Sequence, residues 1–333
     1  MKSKKPNYSV KMLPALREIE RAKNGRKCHK CEKKPAVFLS HSQLYFCKNH
    51  FLEYFERTFM RTVRDFSLIK KGEHILIGLS GGKDSTALLY CLSSLKKSLP
   101  FKLTAFIIDV GVPGYCTNSL KCARASCQKL SIPLKIVSFK EETGKTLLEF
   151  IKGREEDSCS FCGVIRRHIM NRQAKLLKAD KIAVAHNLDD FAQTTLMNIM
   201  RNEPARLARF GLMSGIVDDC GFVSRIKPFA RLSEVETSIY AIFKNFSYNP
   251  ESCPYSKNAF RQIVRKTLNE IEEKYPGTKK RIFAGCLVVQ KALQEKYSKQ
   301  GLKICKCKHC SEPSAHEKCK FCEMTESSPA FNL

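Results

Sequence analysis

The fold of this 333-residue chain is decided by a glycine-containing stretch that reads Ser80-Gly81-Gly82-Lys83-Asp84-Ser85-Thr86. The stretch follows a short apolar run, His74 to Leu79, and opens a helical pattern from Ser85 to Ser98. Glycines let a backbone approach an anion closely, and helix N-terminal amides point toward it with the positive end of the dipole. This order predicts a phosphate-binding loop with Lys83, Ser80 and Ser85 as added donors. Its glycine spacing matches neither the Walker loop nor the dinucleotide fingerprint.

Strand-like and helix-like segments alternate around this loop. The predicted strands are short and rich in β-branched or aromatic residues: His74–Leu79, Leu103–Ile108, Leu134–Phe139 and Lys181–Ala185. Helical patterns separate them at Ser85–Ser98, Tyr115–Leu130, Gly163–Lys178 and Asp189–Asn202. Such alternation predicts an α/β fold, a parallel sheet with helices on both faces. After Ser233 the pattern becomes helical, at Val235–Phe246, Lys257–Lys274 and Arg281–Ser298.

Composition favours a globular protein with a polyanionic partner. Hydrophobic residues make up 43% of the chain, and 59 Lys and Arg face 32 Asp and Glu, a formal charge of +27. A positive field of this size attracts nucleic acid, although a basic protein without such a partner is the alternative. We see no long apolar span and expect no membrane partner. The candidate RNA-binding segments are Lys2–Lys5, Arg21–Lys34, Arg201–Arg209 and Lys303–Lys308.

The cysteines point to metal sites rather than disulfides. There are 17, many of them in C-x2-C pairs, and no apolar signal segment follows Met1. A reducing cytoplasm fits this usage. Two sets carry the spacing of closed, structural zinc ribbons: Cys28, Cys31, Cys47 and His50, and then Cys307, Cys310, Cys319 and Cys322. Cys305 is an alternative to Cys307 as a ligand, but the spacing favours Cys307.

A third set of cysteines has no fourth member. Cys159 and Cys162 form one pair, and the nearest partner along the chain is Cys253, which precedes a proline. Three cysteines do not close a tetrahedral zinc site, but they suit three irons of a 4Fe-4S cluster with the fourth iron open. Three buried thiols without a metal are the alternative reading.

Composition also divides the chain into four segments. We expect an N-terminal zinc ribbon with a connecting helix at 1–64 and a catalytic α/β domain at 65–232. A helical extension that carries Cys253 follows at 233–300, and a C-terminal ribbon with a polar tail occupies 301–333.

The phosphate loop resembles that of the ATP pyrophosphatase, or PP-loop, superfamily. Its members split ATP between the α- and β-phosphates and adenylate a carbonyl oxygen, on an adenine nucleotide alpha hydrolase-like fold. The resemblance implies that the loop holds the departing pyrophosphate and that Ile107 to Asp109 flank the adenosine. It implies these ATP contacts: Gly78, Leu79, Ser80, Gly81, Gly82, Lys83, Asp84, Ser85, Ile108, Asp109, Arg166 and Ala185.

Behind this loop, further motifs resemble the 2-thiouridine synthetases of transfer RNA. The sequence from Cys159 to Arg167, the sequence from Ala185 to Asp190, and Cys253-Pro254-Tyr255 follow in the family's order between two zinc ribbons. The resemblance covers nearly the whole chain to Cys322. It implies ATP-dependent replacement of a uridine C2 oxygen by sulfur, with the wobble base favoured over the T-loop uridine. It also implies a homodimer, and sulfide or a ubiquitin-like carrier as the sulfur source.

Four residues are expected to carry the chemistry by this resemblance. Lys83 and Arg166 would neutralise phosphate charge. Asp189 and Asp190 begin a helix, and one would bind Mg2+ while the other, by the family pattern Asp190, assists proton transfer. Helix capping alone is the alternative for this pair.

Other chemistries remain open at this stage. The sulfur could travel on a persulfide of Cys162 or Cys253 instead of on a cluster. The chain could also be a different adenylating enzyme, such as an amidotransferase or a cytidine thiolase. A non-catalytic, zinc-bearing RNA-binding scaffold is the third possibility.

Overall fold

The N-terminal module pairs a small hairpin with two helices. A computed structural model describes residues 12–24, 27–153, 158–214, 221–256, 260–299, 305–314 and 316–326. Helix α1 (Leu13–Arg21) packs on the antiparallel hairpin β1 (Val37–Leu39) and β2 (Leu44–Phe46), and α2 (Lys48–Asp65) follows. One face of α2 is buried because its phenylalanines recur every four residues, at Phe51, Phe55 and Phe59.

A six-stranded sheet forms the centre, in the order β5-β4-β3-β6-β8-β7. Its strands are β3 (His74–Leu79), β4 (Lys102–Asp109), β5 (Leu134–Ser138), β6 (Lys181–Ala183), β7 (Met213–Ser214) and β8 (Ser224–Ile226). All neighbours run parallel except β7, which pairs antiparallel with β8. From β3 the chain continues to β4 and β5 on one side of β3. It then crosses to β6, which pairs with the other side of β3. Ligands of open α/β sheets bind at the carboxyl ends of strands at such a switch point.

Helices cover both faces of the sheet, as the alternation predicted. They are α3 (Lys83–Leu95), α4 (Tyr115–Lys129), α5 (Phe139–Thr143), α6 (Leu147–Ile151), α7 (Ser158–Leu176), α8 (Leu188–Met200) and α9 (Pro204–Arg209). Side chains of β3 alternate between the faces: Ile75 and Ile77 join the core with α2 and α3, whereas Leu76 packs with α7.

The C-terminal part adds three helices and the second small hairpin. Helices α10 (Glu234–Lys244), α11 (Phe260–Lys274) and α12 (Thr278–Lys299) precede β9 (Cys305–Lys306), β10 (Pro313–Ser314) and α13 (Lys320–Glu326). Phe55 of α2 stacks on Tyr240 of α10 at a centroid distance of 4.0 Å. One apolar core therefore runs from α1 through the sheet to α10. The predicted domain boundaries stay predictions.

The four predicted strands are present with shifts of up to two residues at their ends, and the fold class is confirmed. Strands β7 and β8 and helix α9 were missed because each is too short to show a period. Of the predicted basic segments, Lys2–Lys5 lies outside the described residues, as do 25–26 and 301–304.

Candidate active site

Hydrogen bonds within the glycine stretch hold it open as a loop at the end of β3. The Ser80 amide donates to Ser85 Oγ at 3.1 Å, and the two hydroxyl oxygens lie 3.0 Å apart. The Gly82 amide donates to Ser80 Oγ at 3.3 Å, and Gly82 caps α3 in an extended conformation. The loop thus presents hydroxyls and helix N-terminal amides together, the arrangement that binds phosphate.

A cavity of about 660 Å³ opens at this loop, within the size range of small-molecule sites. Its floor comes from the ends of β3 and β4 and from Val184, Ala185 and His186 after β6. Its wall includes α7, α9 and β8. Eight of the predicted ATP contacts line it: Gly78, Leu79, Ser80, Asp84, Ser85, Ile108, Arg166 and Ala185. Gly81, Gly82, Lys83 and Asp109, all in the described part of the chain, are not among its lining residues.

Lys83 lies behind the loop instead of facing the cavity. Its ammonium group is buried, 2.8 Å from Asp84 Oδ2 and 3.3 Å from Glu234 Oε1. Arg265 forms a further ion pair with Glu234. Although burial opposes its charge, Asp84 and Glu234 hold the pKa of Lys83 above its usual value. Lys83 therefore neutralises the acidic side of the loop, and its action on phosphate stays a prediction.

The acidic side of the loop fits a divalent cation. Asp84 Oδ1 is buried and has no hydrogen-bond partner within the described residues. Burial and the neighbouring Glu234 raise the pKa of Asp84. Burial also raises the pKa of Asp190 to about 6, with Asp84 and Glu234 adding to it. A Mg2+ ion prefers carboxylate oxygens, so the unpaired Asp84 Oδ1 fits as a ligand of such an ion.

The two aspartates at the start of α8 have different surroundings. Asp189 is buried; it forms an ion pair with Lys279 and accepts the Glu234 amide at 2.7 Å. Asp190 is about one-third exposed, and its Oδ2 accepts the Asn187 amide at 3.1 Å in a capping box. Of the two, only Asp190 has an exposed edge, and neither is among the lining residues of the cavity.

The three cysteines of the third set converge at the N-terminus of α7. Ser158 Oγ and Cys159 Sγ both point to the Tyr255 carbonyl, at 3.1 and 3.7 Å, which brings the Cys253 segment to this helix. Burial raises the pKa of Cys162; Arg166 opposes this rise, and Cys253 and Cys159 reinforce it. Arg166 lies one turn further along α7 and lines the nucleotide cavity. The thiols and the cavity are therefore neighbours.

The spacing of these thiols suits a cluster better than a single ion. Within the described ranges, ligand atoms of three or more metal-binding side chains lie within 4.8 Å of one another in the two zinc-ribbon sets alone. Cys159, Cys162 and Cys253 form no disulfide, and their sulfur atoms do not all lie within this distance of one another. Cys159 is exposed. A 4Fe-4S cluster takes each thiolate on a different iron, so the trio fits such a cluster.

Both ribbon sets form compact four-ligand clusters. In the first set, His50 Nδ1 lies 3.4 Å from Cys28 Sγ and 3.5 Å from Cys47 Sγ. In the second, the pairs Cys307–Cys322 and Cys310–Cys319 have sulfur separations of 3.8 and 3.5 Å. Cys305 is exposed and donates to the Ser314 and His316 carbonyls instead. These donor sets fit tetrahedral zinc.

The structure adds cations that the sequence did not single out. Arg167, Arg225 and Lys227 line the cavity together with Arg206 and Arg209 of α9. Lys227 is buried. Its burial, and to a smaller extent the charge of Arg225, lowers the pKa of Lys227 to about 7. A motif could not reveal this group, because β8 has only three residues and its neighbours in space are distant in sequence.

Two aromatic rings lie close to the ammonium group of Lys227. Its ammonium group lies 5.0 Å from the Phe210 ring centroid and 5.4 Å from that of Phe191. Phe191 is fully buried and packs on Phe283. Among the helices in the described part of the chain, none is long and apolar enough to cross a membrane.

Comparison with known proteins shows which family the chain belongs to. Residues 52–272 match the model of the PP-loop domain family. The chain is 35% identical to the tRNA-5-methyluridine(54) 2-sulfurtransferase of Pyrococcus horikoshii, over 89% of this chain and 93% of that protein. It is also 35% identical to Cytoplasmic tRNA 2-thiolation protein 1 of Danio rerio, over 90% of this chain and 87% of that protein.

A solved structure shows the same likeness. The U34-tRNA thiolase NcsA from Methanococcus maripaludis with its [4Fe-4S] cluster has a TM-score of 0.73 and 35% identity, covering 80% of this chain and 89% of that one. The chain therefore belongs to the PP-loop domain family and, within it, to the tRNA 2-thiolation proteins.

Proposed function

We propose that the chain is a tRNA sulfurtransferase that adenylates the C2 oxygen of a uridine with ATP and then replaces that oxygen by sulfur. One observation carries this proposal: α7 presents Cys159 and Cys162 at its first turn and Arg166, one turn later, in the nucleotide cavity. A sulfur source and an activated base need this proximity, because reacting groups must be held close together before they react.

The phosphate side of the reaction is served by the loop and its cations. Ser80, Ser85 and the α3 amides receive the pyrophosphate that leaves. Arg166 stabilises charge at the α-phosphate while the uridine oxygen forms its bond to phosphorus. Asp84 would hold Mg2+, which would add positive charge at the phosphates. AMP then leaves with the former uridine oxygen.

The base side is served by Asp190. Its partly exposed carboxylate is held by the Asn187 amide, and its raised pKa lets it accept a proton from the uracil ring near neutral pH. Loss of that proton makes the C2 oxygen a better nucleophile. His186, whose pKa burial lowers to about 3, stays neutral in the cavity and adds no competing charge.

The metals divide into one reactive and two structural groups. Cys159, Cys162 and Cys253 would hold a 4Fe-4S cluster, which would supply a binding site for sulfide. Zinc in Cys28, Cys31, Cys47 and His50, and in Cys307, Cys310, Cys319 and Cys322, stabilises the two ribbons.

For the target we propose the wobble uridine at position 34. The U34-tRNA thiolase from Methanococcus maripaludis supports it, with 35% identity and a TM-score of 0.73. Position 54 is the second candidate, because the relative from Pyrococcus horikoshii is a tRNA-5-methyluridine(54) 2-sulfurtransferase. We further propose action in the cytoplasm, a homodimeric assembly, and free sulfide or a ubiquitin-like carrier as the sulfur donor.

The test is a thiolation assay under anaerobic conditions. The reconstituted protein is incubated with ATP, Mg2+, sulfide and unmodified tRNA, and nucleosides are analysed by mass spectrometry. We expect 2-thiouridine, AMP and pyrophosphate in equal amounts. A tRNA with cytidine at position 34 and uridine at 54 should give no product, and the reverse tRNA should be thiolated.

Two controls make the result decisive. Cys253→Ser should abolish thiolation, whereas Cys305→Ser, at an exposed thiol outside all three sets, should not. Activity that persists in air in colourless protein would contradict a role of the cluster in the reaction. Thiocytidine as the product would contradict uridine as the substrate.

A further inference from the structure

Asn249 is a buried amide in the segment between α10 and the Pro254–Ser256 turn. Asn249 is only 5% exposed, although it belongs to no helix or strand. A buried polar side chain is tolerated when its donors and acceptors are paired, so its partners reveal what it holds together.

The hydrogen bonds of Asn249 join three segments of the site. Its backbone amide donates to the Gly81 carbonyl in the phosphate loop at 2.8 Å. Its side-chain nitrogen donates to the Tyr115 carbonyl at 3.2 Å and to Ser119 Oγ at 3.0 Å, both on α4. Its Oδ1 accepts the Glu251 amide at 3.1 Å. The side chain thus uses both its donor and its acceptor.

The loop and α4 are in close contact at the same point. Gly81 has a φ of +72°, and a Cβ there would lie 2.5 Å from Ser119 Cα. The backbone of the loop is therefore packed closely against α4 at Gly81. Tyr115, at the start of α4, lies within electrostatic reach of Cys253, Cys162 and Arg166, so this end of α4 borders the thiols.

The bond from Glu251 to Asn249 Oδ1 directs the chain toward Cys253. It closes a tight turn around Pro250, a residue with a fixed φ, and Cys253 follows Glu251 by two residues. A short, hydrogen-bonded path of backbone and side chain therefore connects the phosphate loop to the third thiol.

We propose that Asn249 is a positioning residue that couples occupation of the phosphate loop to the position of the Cys253 thiol. The inference rests on the proposed function, because the thiol matters as a cluster ligand. When a nucleotide binds Ser80 and Ser85, the Gly81 carbonyl shifts with the loop, and Asn249 transmits the shift to the Glu251–Cys253 turn. The enzyme then adjusts its cluster site when ATP is bound.

The experiment follows Cys253 in the full chain with zinc bound in both ribbons but without the iron–sulfur cluster. The alkylation rate of Cys253 by iodoacetamide is measured by peptide mass spectrometry with and without α,β-methylene-ATP, whose affinity is measured by calorimetry. In the wild type we expect the analogue to change the rate by about fivefold, which corresponds to about 1 kcal/mol, the net contribution of one hydrogen bond. Asn249→Ala should bind the analogue with a similar Kd but lose this response.

Matched variants separate coupling from folding. Asn249→Asp keeps the acceptor for Glu251 but loses the donors to α4, and it should also lose the response. Ser119→Ala removes one acceptor and should reduce it. Asn118→Ala, at an exposed position beside Ser119, should respond as the wild type does. An intact response in both Asn249 variants, or no response in the wild type, would overturn the inference.

A second readout tests the same coupling at the cluster. In reconstituted, reduced protein, the analogue should change the EPR spectrum of the wild type and of Asn118→Ala but not that of Asn249→Ala. If no iron is taken up or no tRNA is thiolated, the proposed function fails, and the alkylation of Cys253 still decides the role of Asn249.

Discussion

The adjacent aspartates at the start of α8 have different surroundings, which favour different tasks. Asp189 is neutralised by the buried Lys279 and holds the Glu234 amide, so its charge is used within the fold. Asp190 has an exposed edge, a distant Arg261 at 3.9 Å and a raised pKa. The sequence predicted that this pair would act and, through the family pattern, which member would react. The burial that separates them is visible only in three dimensions.

Replacing Asp190 by Asn should remove the proton acceptor while preserving the helix cap. We expect the single-turnover thiolation rate to fall by roughly a hundredfold or more, the usual size of general-base catalysis. The wild-type rate should rise with pH through about 6, because the carboxyl must be ionised to accept a proton, and then level off. The variant should lack this rise.

The matched variant at the neighbouring position has another outcome. Asp189→Asn leaves Lys279 buried without a carboxylate partner and should lower the melting temperature. Asp190→Asn should melt close to the wild type. Wild-type thiolation by Asp190→Asn would exclude Asp190 as the base.

Among the helices in the described part of the chain, α9 is the candidate for contact with RNA. It is only six residues long, yet both its arginines line the cavity: Arg206 pairs with Glu203 at 3.1 Å, and Arg209 donates to the Ala205 carbonyl at the same distance. Six cationic side chains line this cavity, and Arg206 and Arg209 are the exposed ones on α9. We infer that the outer arginines contact the phosphate backbone of tRNA.

Reversing the charge of α9 tests this inference. Arg206→Glu with Arg209→Glu should weaken tRNA binding at low salt by about tenfold or more. The slope of log K against log salt should fall by about 1 for each phosphate that the protein no longer neutralises. Arg57→Glu with Arg61→Glu on α2, two exposed arginines four residues apart, is the charge-matched control. Equal slopes in the two double variants would remove α9 from the RNA-binding surface.

Over the whole molecule, the C-terminal ribbon supports the helix that carries the reactive thiols. Phe321 of α13 stacks on His168 of α7 at a centroid distance of 3.6 Å, and Glu312 pairs with Lys175 at 3.0 Å. Since α7 presents Cys159 and Cys162, loss of the ribbon should disturb the cluster site from a distance.

Removing the second zinc site measures this dependence. Cys319→Ser with Cys322→Ser should lose one equivalent of zinc and lower the melting temperature by several degrees, because structural zinc contributes directly to folding. Iron content after reconstitution should fall as well. Cys305→Ser should retain both zinc ions and full iron, and a loss of zinc in this variant would place Cys305 in the ligand set.

The sequence by itself determined the features that depend on near neighbours in the chain. Local spacing predicts the glycine loop between β3 and α3, the four strands with their helices, and both ribbon ligand sets. Backbone conformation and the paired ligands of each ribbon are set within a few residues. It also contained the order of motifs that indicates the family.

Only the tertiary structure decided which distant groups meet. Lys83 is turned to Glu234, 151 positions away, and Asn249 joins the phosphate loop to α4 and to the Cys253 segment. Lys227 lines the cavity and directly follows β8, a strand too short to recognise in the sequence. Such contacts result from the packing of whole elements around a shared core, and no local period in the sequence records that packing.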